Sequence, residues 1–190
     1  LHLSGTMGVI AFSIVMYIDS VVSALIFGMA DSLQPPISYH YGAHNPKRLL
    51  ALERRVLFSA AILSLLAMCL MLGGREAILP LFLGSTQPEL LEMSSRAMCL
   101  FSFSYLVSWF GTVASSFFTA LNKPRLSLGL AFAQSLFFPL VFLLLLTRFW
   151  GLDGVWLTAL AAEGCTALLA GMFFASVCRS LRRTQAPEPS

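Results

Sequence analysis

Residues 9–27 read VIAFSIVMYIDSVVSALIF, an apolar run interrupted by a single charge, Asp19, near its middle. About 20 such residues in a helix cross the roughly 30 Å of hydrocarbon in a bilayer, so this stretch by itself predicts a membrane span. Outward from it the same character recurs. The first run extends over 9–41 and gains Asp31, and four more runs follow at 56–73, 97–121, 126–147 and 154–178. The middle three of the five carry no charge, and the last carries only Glu163. All are too long for barrel strands, and none shows the two-residue alternation a barrel needs. The fold class expected is therefore all-α integral membrane, with five transmembrane helices. Composition agrees: 57% of the 190 residues are hydrophobic and 11% charged, with a mean hydropathy of +0.81. A soluble domain carries about a quarter charged residues.

The connections hold polar residues and helix breakers: His44-Asn45-Pro46-Lys47-Arg48, Asn122-Lys123-Pro124-Arg125 and Gly151-Leu152-Asp153-Gly154. A longer connection is expected over 74–96, with its short apolar stretch 77–82 lying along the surface. The transmembrane lobe is expected to occupy 1–183, and the polar, Pro-containing residues 184–190 to form a disordered cytoplasmic tail. Lys47, Arg48, Arg54, Arg55, Lys123, Arg125, Arg179, Arg182 and Arg183 fall on one side of an alternating five-helix arrangement, and Arg75, Arg96 and Arg148 on the other. Basic residues mark the cytoplasmic face. The expectation is a multi-pass protein of the inner (plasma) membrane with a cytoplasmic C-terminus. Leu1 then lies outside with no signal-peptide pattern before it, so further helices upstream are expected.

Polar side chains within spans are costly in lipid and mark functional candidates. Asp19 is flanked by apolar residues on both sides; it is a candidate for proton or ion coupling, or for packing through a hydrogen bond to Ser23. Glu163 shares a helix face with Ala159, Thr166, Ala167 and Ala170, small residues that let another helix approach. It therefore points into protein or a cavity and is the second candidate for proton or ion coupling, or for a purely structural pairing. Asp31, Gln34 and Ser38, at i, i+3 and i+7, fall on one face. Pro35 should kink or loosen the helix there. With Tyr39 these residues are candidates for a polar path or a hinge, or simply for the wet end of a long helix. Ser104, Ser108, Thr112, Ser116 and Ala120 recur every four residues, a ladder read as a packing face.

Other chemistries lack their signatures. Cys69, Cys99, Cys165 and Cys178 form no C-x-x-C pair and lie in or at the ends of apolar runs, so no metal or disulfide role is expected. The three histidines are scattered, no hydrolase or phosphate-loop motif occurs, and basic residues are not interleaved with aromatics. No enzyme activity, cofactor, metal or nucleic-acid partner is expected.

One segment carries a family signature. Residues 28–43 read GMADSLQPPISYHYGA, which resembles the Q-P-x-x-S-Y-x-Y-G-A segment of the multidrug and toxic compound extrusion (MATE) family, especially its MepA-like branch. Residues 115–125, SSFFTALNKPR, are similar to the end of that family's tenth helix, and 151–156, GLDGVW, to the start of its last. The resemblance implies that the five spans match helices eight to twelve, the C-terminal lobe, of a twelve-helix transporter. It implies alternating-access export of cationic, amphipathic small molecules against a proton or sodium gradient, in a lipid bilayer, with the missing N-terminal lobe as partner. Two alternatives are a lipid-linked saccharide flippase of the same superfamily and a non-transporting membrane fragment or scaffold.

Overall fold

A computed structural model describes residues 2–83 and 88–183. The tail over 184–190 and the four residues between those segments lie outside the described residues. The chain forms α1 (His2–Ser32), α2 (Gln34–Gly42), α3 (Pro46–Leu83), α4 (Pro88–Ser102), a 3-10 turn (Phe103–Leu106), α5 (Ser108–Ala120), α6 (Pro124–Phe132), a π turn (Ala133–Phe137) and α7 (Phe138–Arg183). No strand occurs among the described residues. Among the described residues, four helical stretches are long and apolar enough to cross a membrane: Val9–Gly42, Pro46–Pro80, Pro124–Gly151 and Asp153–Leu181. Taken together as one broken span, α4 with its 3-10 turn and α5 makes a fifth candidate.

The breaks follow from local chemistry. Pro35 and Pro36 are the second and third residues of α2, within the first turn, where a missing N–H breaks no helical hydrogen bond. The helix pauses at Leu33 and resumes, so α1 and α2 still count as one span. Asn45 caps α3, its Oδ1 accepting from the Arg48 N–H at 3.3 Å. Gly151 takes φ 54° and ψ −126°, dividing α7 into two arms. They pack so closely at this corner that a Cβ on Gly154 would collide with the Leu146 carbonyl.

Two expectations are corrected. The connection drawn over 74–96 is helical on both sides. α3 runs on through Pro80 to Leu83, and Leu79, 1% exposed, is anchored in the core. The stretch 77–82 therefore continues a long helix and does not lie along the surface. The span drawn over 97–121 is not one straight helix but bends by 41° between α4 and α5. Here the hydroxyls of Ser102 and Ser104 bond back to the carbonyls of Cys99 and Phe101, both at 2.7 Å, competing with the helical ladder. The freed carbonyls find donors elsewhere. Ser64 of α3 donates to the Tyr105 carbonyl at 2.5 Å, and the Trp109 indole donates to the Leu106 carbonyl at 3.1 Å. Such compensation is what irregular backbone at membrane depth requires. The serine ladder is thereby split: Ser104 lies on the turn, while Thr112, Ser116 and Ala120 stay buried along α5.

Two apolar clusters hold the bundle. One gathers Val15, Val22, Ile26, Ala60, Met71, Met98 and Tyr105 from α1, α3, α4 and the turn. The other gathers Ile37, Leu49, Phe117, Phe118, Leu130 and Ala170 toward the opposite end. The outer faces expose Phe58, Leu66, Leu128, Leu144, Phe149 and Leu168, an apolar surface suited to lipid rather than water.

Candidate functional site

Asp19 lies about a third of the way along the Val9–Gly42 span, half-buried. Its Oδ1 accepts from the Tyr105 hydroxyl at 3.0 Å and its Oδ2 from the Ser23 hydroxyl at 3.4 Å. The Ser23 contact was foreseen; Tyr105 was not. Tyr105 reaches Asp19 because the 3-10 turn rotates it out of the α-helical register and Phe101 packs edge-on against its ring, centroids 5.9 Å apart. Its ring is 2% exposed, so the phenol approaches Asp19 from the protein interior.

Glu163 lies on the second arm of α7. Gln134 places Nε2 3.1 and 3.4 Å from its two carboxylate oxygens, and 3.4 Å from the Thr112 hydroxyl. Gln134 belongs to the π turn, whose extra residue shifts the side-chain register of its helix; such single turns recur at functional sites. The face predicted from Thr166 and Ala170 is indeed packed, both residues being fully buried. A Cβ on Gly111 of α5 would come within 2.8 Å of the Thr166 Cγ2, so α5 and α7 touch almost backbone to backbone beside Glu163.

These two carboxylates share one space. A cavity of about 290 Å³ is lined by Asp19 and Glu163 together with Ser108, Trp109, Thr112 and Gln134. It adjoins a larger, more apolar cavity of about 880 Å³ that also includes Asp19, Glu163, Phe101, Ser135 and Ala159, and that extends past Phe12, Leu140 and Trp156. Every polar partner found for the two acids is neutral, and among the described residues no Lys or Arg lines either cavity. The arrangement can hold a cation or a proton between two helices, next to an aromatic and apolar space.

The second group of candidates sits elsewhere. Asp31 accepts from Gln34 Nε2 at 2.7 Å and from the Ser116 hydroxyl; Gln34 also reaches Ser116 at 2.8 Å. Ser38 donates to the Ala120 carbonyl at 2.8 Å. These bonds brace the α1–α2 junction, with Pro35 beside it, against α5. Tyr39 is 72% exposed. None of the five lines either cavity around Asp19.

Gln134 was legible in principle as the lone amide in a run of 22 otherwise amide-free residues, 126–147. Glu53 was missed altogether. It stands in α3 at 2% exposure, and its Oε1 has no hydrogen-bond partner. Among the described residues no group of three His, Cys, Asp or Glu could hold a metal.

A family model described as MatE matches residues 1–146. Among solved structures, an outward-facing multidrug resistance MATE family transporter of the MOP superfamily superposes with a TM-score of 0.87 at 19% identity, covering 94% of this chain and 40% of that one. An inward-facing structure of such a transporter gives 0.82 at 19% identity, over 93% and 40%. A MOP superfamily transporter from Pyrococcus furiosus, described as having a binding pocket of reverse polarity that suggests a different function, gives 0.85 at 19% identity, over 94% and 40%. These likenesses are of fold, and this chain spans about 40% of the length of those transporters. No curated protein sequence matches.

Proposed function

The chain belongs to the MatE family, and from that premise we propose that it is the C-terminal lobe, helices eight to twelve, of a multidrug efflux antiporter of the MepA-like branch. The observation that carries this reading is the pairing of Asp19 and Glu163 across one cavity inside a membrane-spanning bundle. Carboxylates at that depth must bind a proton, a metal cation or a positively charged ligand to avoid an uncompensated charge. Competition among these occupants for one pair of acids is a means of exchanging a cationic drug for protons or sodium. The adjoining space, walled by Phe12, Phe101, Leu140 and Trp156, suits the apolar part of an amphipathic cation. Alternating access then follows from rocking of this lobe against an N-terminal lobe around the shared site. The brace formed by Asp31, Gln34, Ser38 and Ser116 supports a hinge role at the Pro35 junction, with exposed Tyr39 at its outer side. The protein acts as a transporter rather than an enzyme, driven by the ion gradient without a cofactor. It lies in the plasma membrane with its C-terminus in the cytoplasm.

A saccharide flippase handles an anionic, phosphate-linked substrate, and a cavity with two carboxylates and no Lys or Arg disfavours it. The test is ethidium efflux from cells expressing the full-length transporter, with and without a collapsed proton gradient. Gradient-dependent efflux that falls in Asp19→Asn at equal membrane expression supports the assignment. Unchanged efflux in that variant would sink the role of Asp19.

A further inference from the structure

The geometry points to a second site, at the basic end of the bundle, that binds the headgroup of an anionic phospholipid. A cavity of about 460 Å³ lies there between the α2–α3 turn, the α5–α6 turn and the last turns of α7. Its lining includes Lys123, His40, His44 and Asn45 and, among the described residues, no carboxylate. Gly42, Pro46 and Leu181, each the end of a membrane-crossing stretch, also line it. The cavity therefore sits at the depth where a bilayer changes from hydrocarbon to headgroups. Leu49, Val177 and Leu181 supply an apolar floor and wall on the hydrocarbon side.

The electrostatics of the cavity are one-signed. Lys123 contributes a full cation, half-buried. The N-termini of α3 and α6 open beside it, at Pro46 and just after Lys123, and each presents the positive end of a helix dipole. The opposing C-terminus of α2 is already satisfied. The carbonyls of Tyr39, His40 and Tyr41 accept from the N–H groups of Ala43, Asn45 and His44 at 2.9, 2.9 and 3.2 Å. Lys47, Arg48, Arg125 and Arg179, all exposed, stand on the same turns. Among the described residues the two acids nearest in sequence do not offset them: Glu53 is buried outside the cavity, and Asp31 is bonded to Gln34 and Ser116.

The walls are also fixed in place. His44 and Asn122 adopt left-handed φ values of 51° and 52°, and the Lys123 N–H is held by the Phe118 carbonyl at 2.9 Å. Basic pockets between membrane helices at the cytoplasmic side recognise anionic headgroups by this chemistry. The lipid is favoured over free phosphate because the apolar floor and wall continue from the basic residues toward the bilayer interior.

The experiment is native mass spectrometry of the purified full chain in detergent, titrated with dioctanoyl phosphatidylglycerol, dioctanoyl phosphatidylcholine or inorganic phosphate. Phosphatidylglycerol should bind several-fold more tightly than phosphatidylcholine. Lys123→Gln should weaken that binding roughly five-fold, the effect of one basic residue near a phospholipid surface. Lys123→Arg should retain it, and Arg75→Gln, at the other end of α3, should leave it unchanged. Equal binding of the two lipids, or equal weakening by Arg75→Gln, overturns the site. Displacement of phosphatidylglycerol by an equal concentration of inorganic phosphate overturns the lipid assignment.

Discussion

Gly111→Ala tests whether α5 and α7 are held apart by one methyl group. The new Cβ would stand 2.8 Å from the Thr166 Cγ2 and 3.2 Å from the Gln134 Oε1. Carbon atoms rest at about 3.5–4.0 Å, so the first contact is roughly 0.7 Å too short. Gln134 ends a flexible side chain and can give. Thr166 cannot swing its methyl away, because its hydroxyl donates to the Ala162 carbonyl at 2.8 Å and it is fully buried. The overlap must be relieved by moving a helix, at a cost of about 1–3 kcal/mol. Thr166→Ser removes the offending methyl, keeps the hydroxyl bond, and alone costs about 1 kcal/mol. In the double variant the alanine methyl fills the space left by the threonine methyl. Its stability should then match that of Thr166→Ser alone, a coupling of about 1–3 kcal/mol. The assay is unfolding of the purified chain in mixed micelles by SDS titration, followed by circular dichroism. Destabilisation equal to the sum of the two single variants, within about 0.5 kcal/mol, would refute the contact.

Glu53→Met should raise stability in the same titration by about 1–3 kcal/mol, because it removes a buried carboxyl oxygen that lacks a partner; an earlier unfolding midpoint would show that Glu53 has a bonding role. Ser64→Ala should lower stability by about 1–3 kcal/mol, since the Tyr105 carbonyl loses its donor at the bend, and a neutral result would mean the bend satisfies itself. Gln134→Leu, introduced in the full-length transporter, should lower gradient-dependent ethidium efflux roughly ten-fold at equal expression, the worth of one hydrogen bond to a charged group. Wild-type efflux from that variant would place Gln134 outside the transport cycle.

The membrane fold was legible because lipid imposes a simple rule on sequence, and charges at Asp19 and Glu163 stood out against it. Their shared cavity could not be read, since it depends on how α1 meets α7 in space. The bend at residues 103–107 escaped notice because its stabilising donor, Ser64, lies 41 residues from the carbonyl it satisfies. A serine ladder at four-residue spacing looks the same whether or not the helix beneath it is straight. Glu53 was missed for a different reason. In sequence it stands beside Arg54 and Arg55 and draws no notice, whereas α3 begins at Pro46 and turns Glu53 inward with Leu49 and Val56. The cluster of Asp31, Gln34 and Ser38 was correctly placed on one face. What that face meets is α5, a fact of tertiary packing.

The sharp corner at Gly151 has a consequence for biogenesis. The stretch Pro124–Gly151 carries no charge between Arg125 and Arg148 and is the least covered by other helices, so it can partition from the translocon into lipid without waiting for a partner. The stretch Asp153–Leu181 carries Glu163 and is the least apolar of the four uninterrupted crossings. Joined by the Gly151 corner, the two enter as a hairpin, and the first shields the acid of the second through Gln134 as it arrives. A longer, flexible linker in place of that corner would leave Glu163 to enter the bilayer alone, and the penalty would fall on insertion yield before it reached transport.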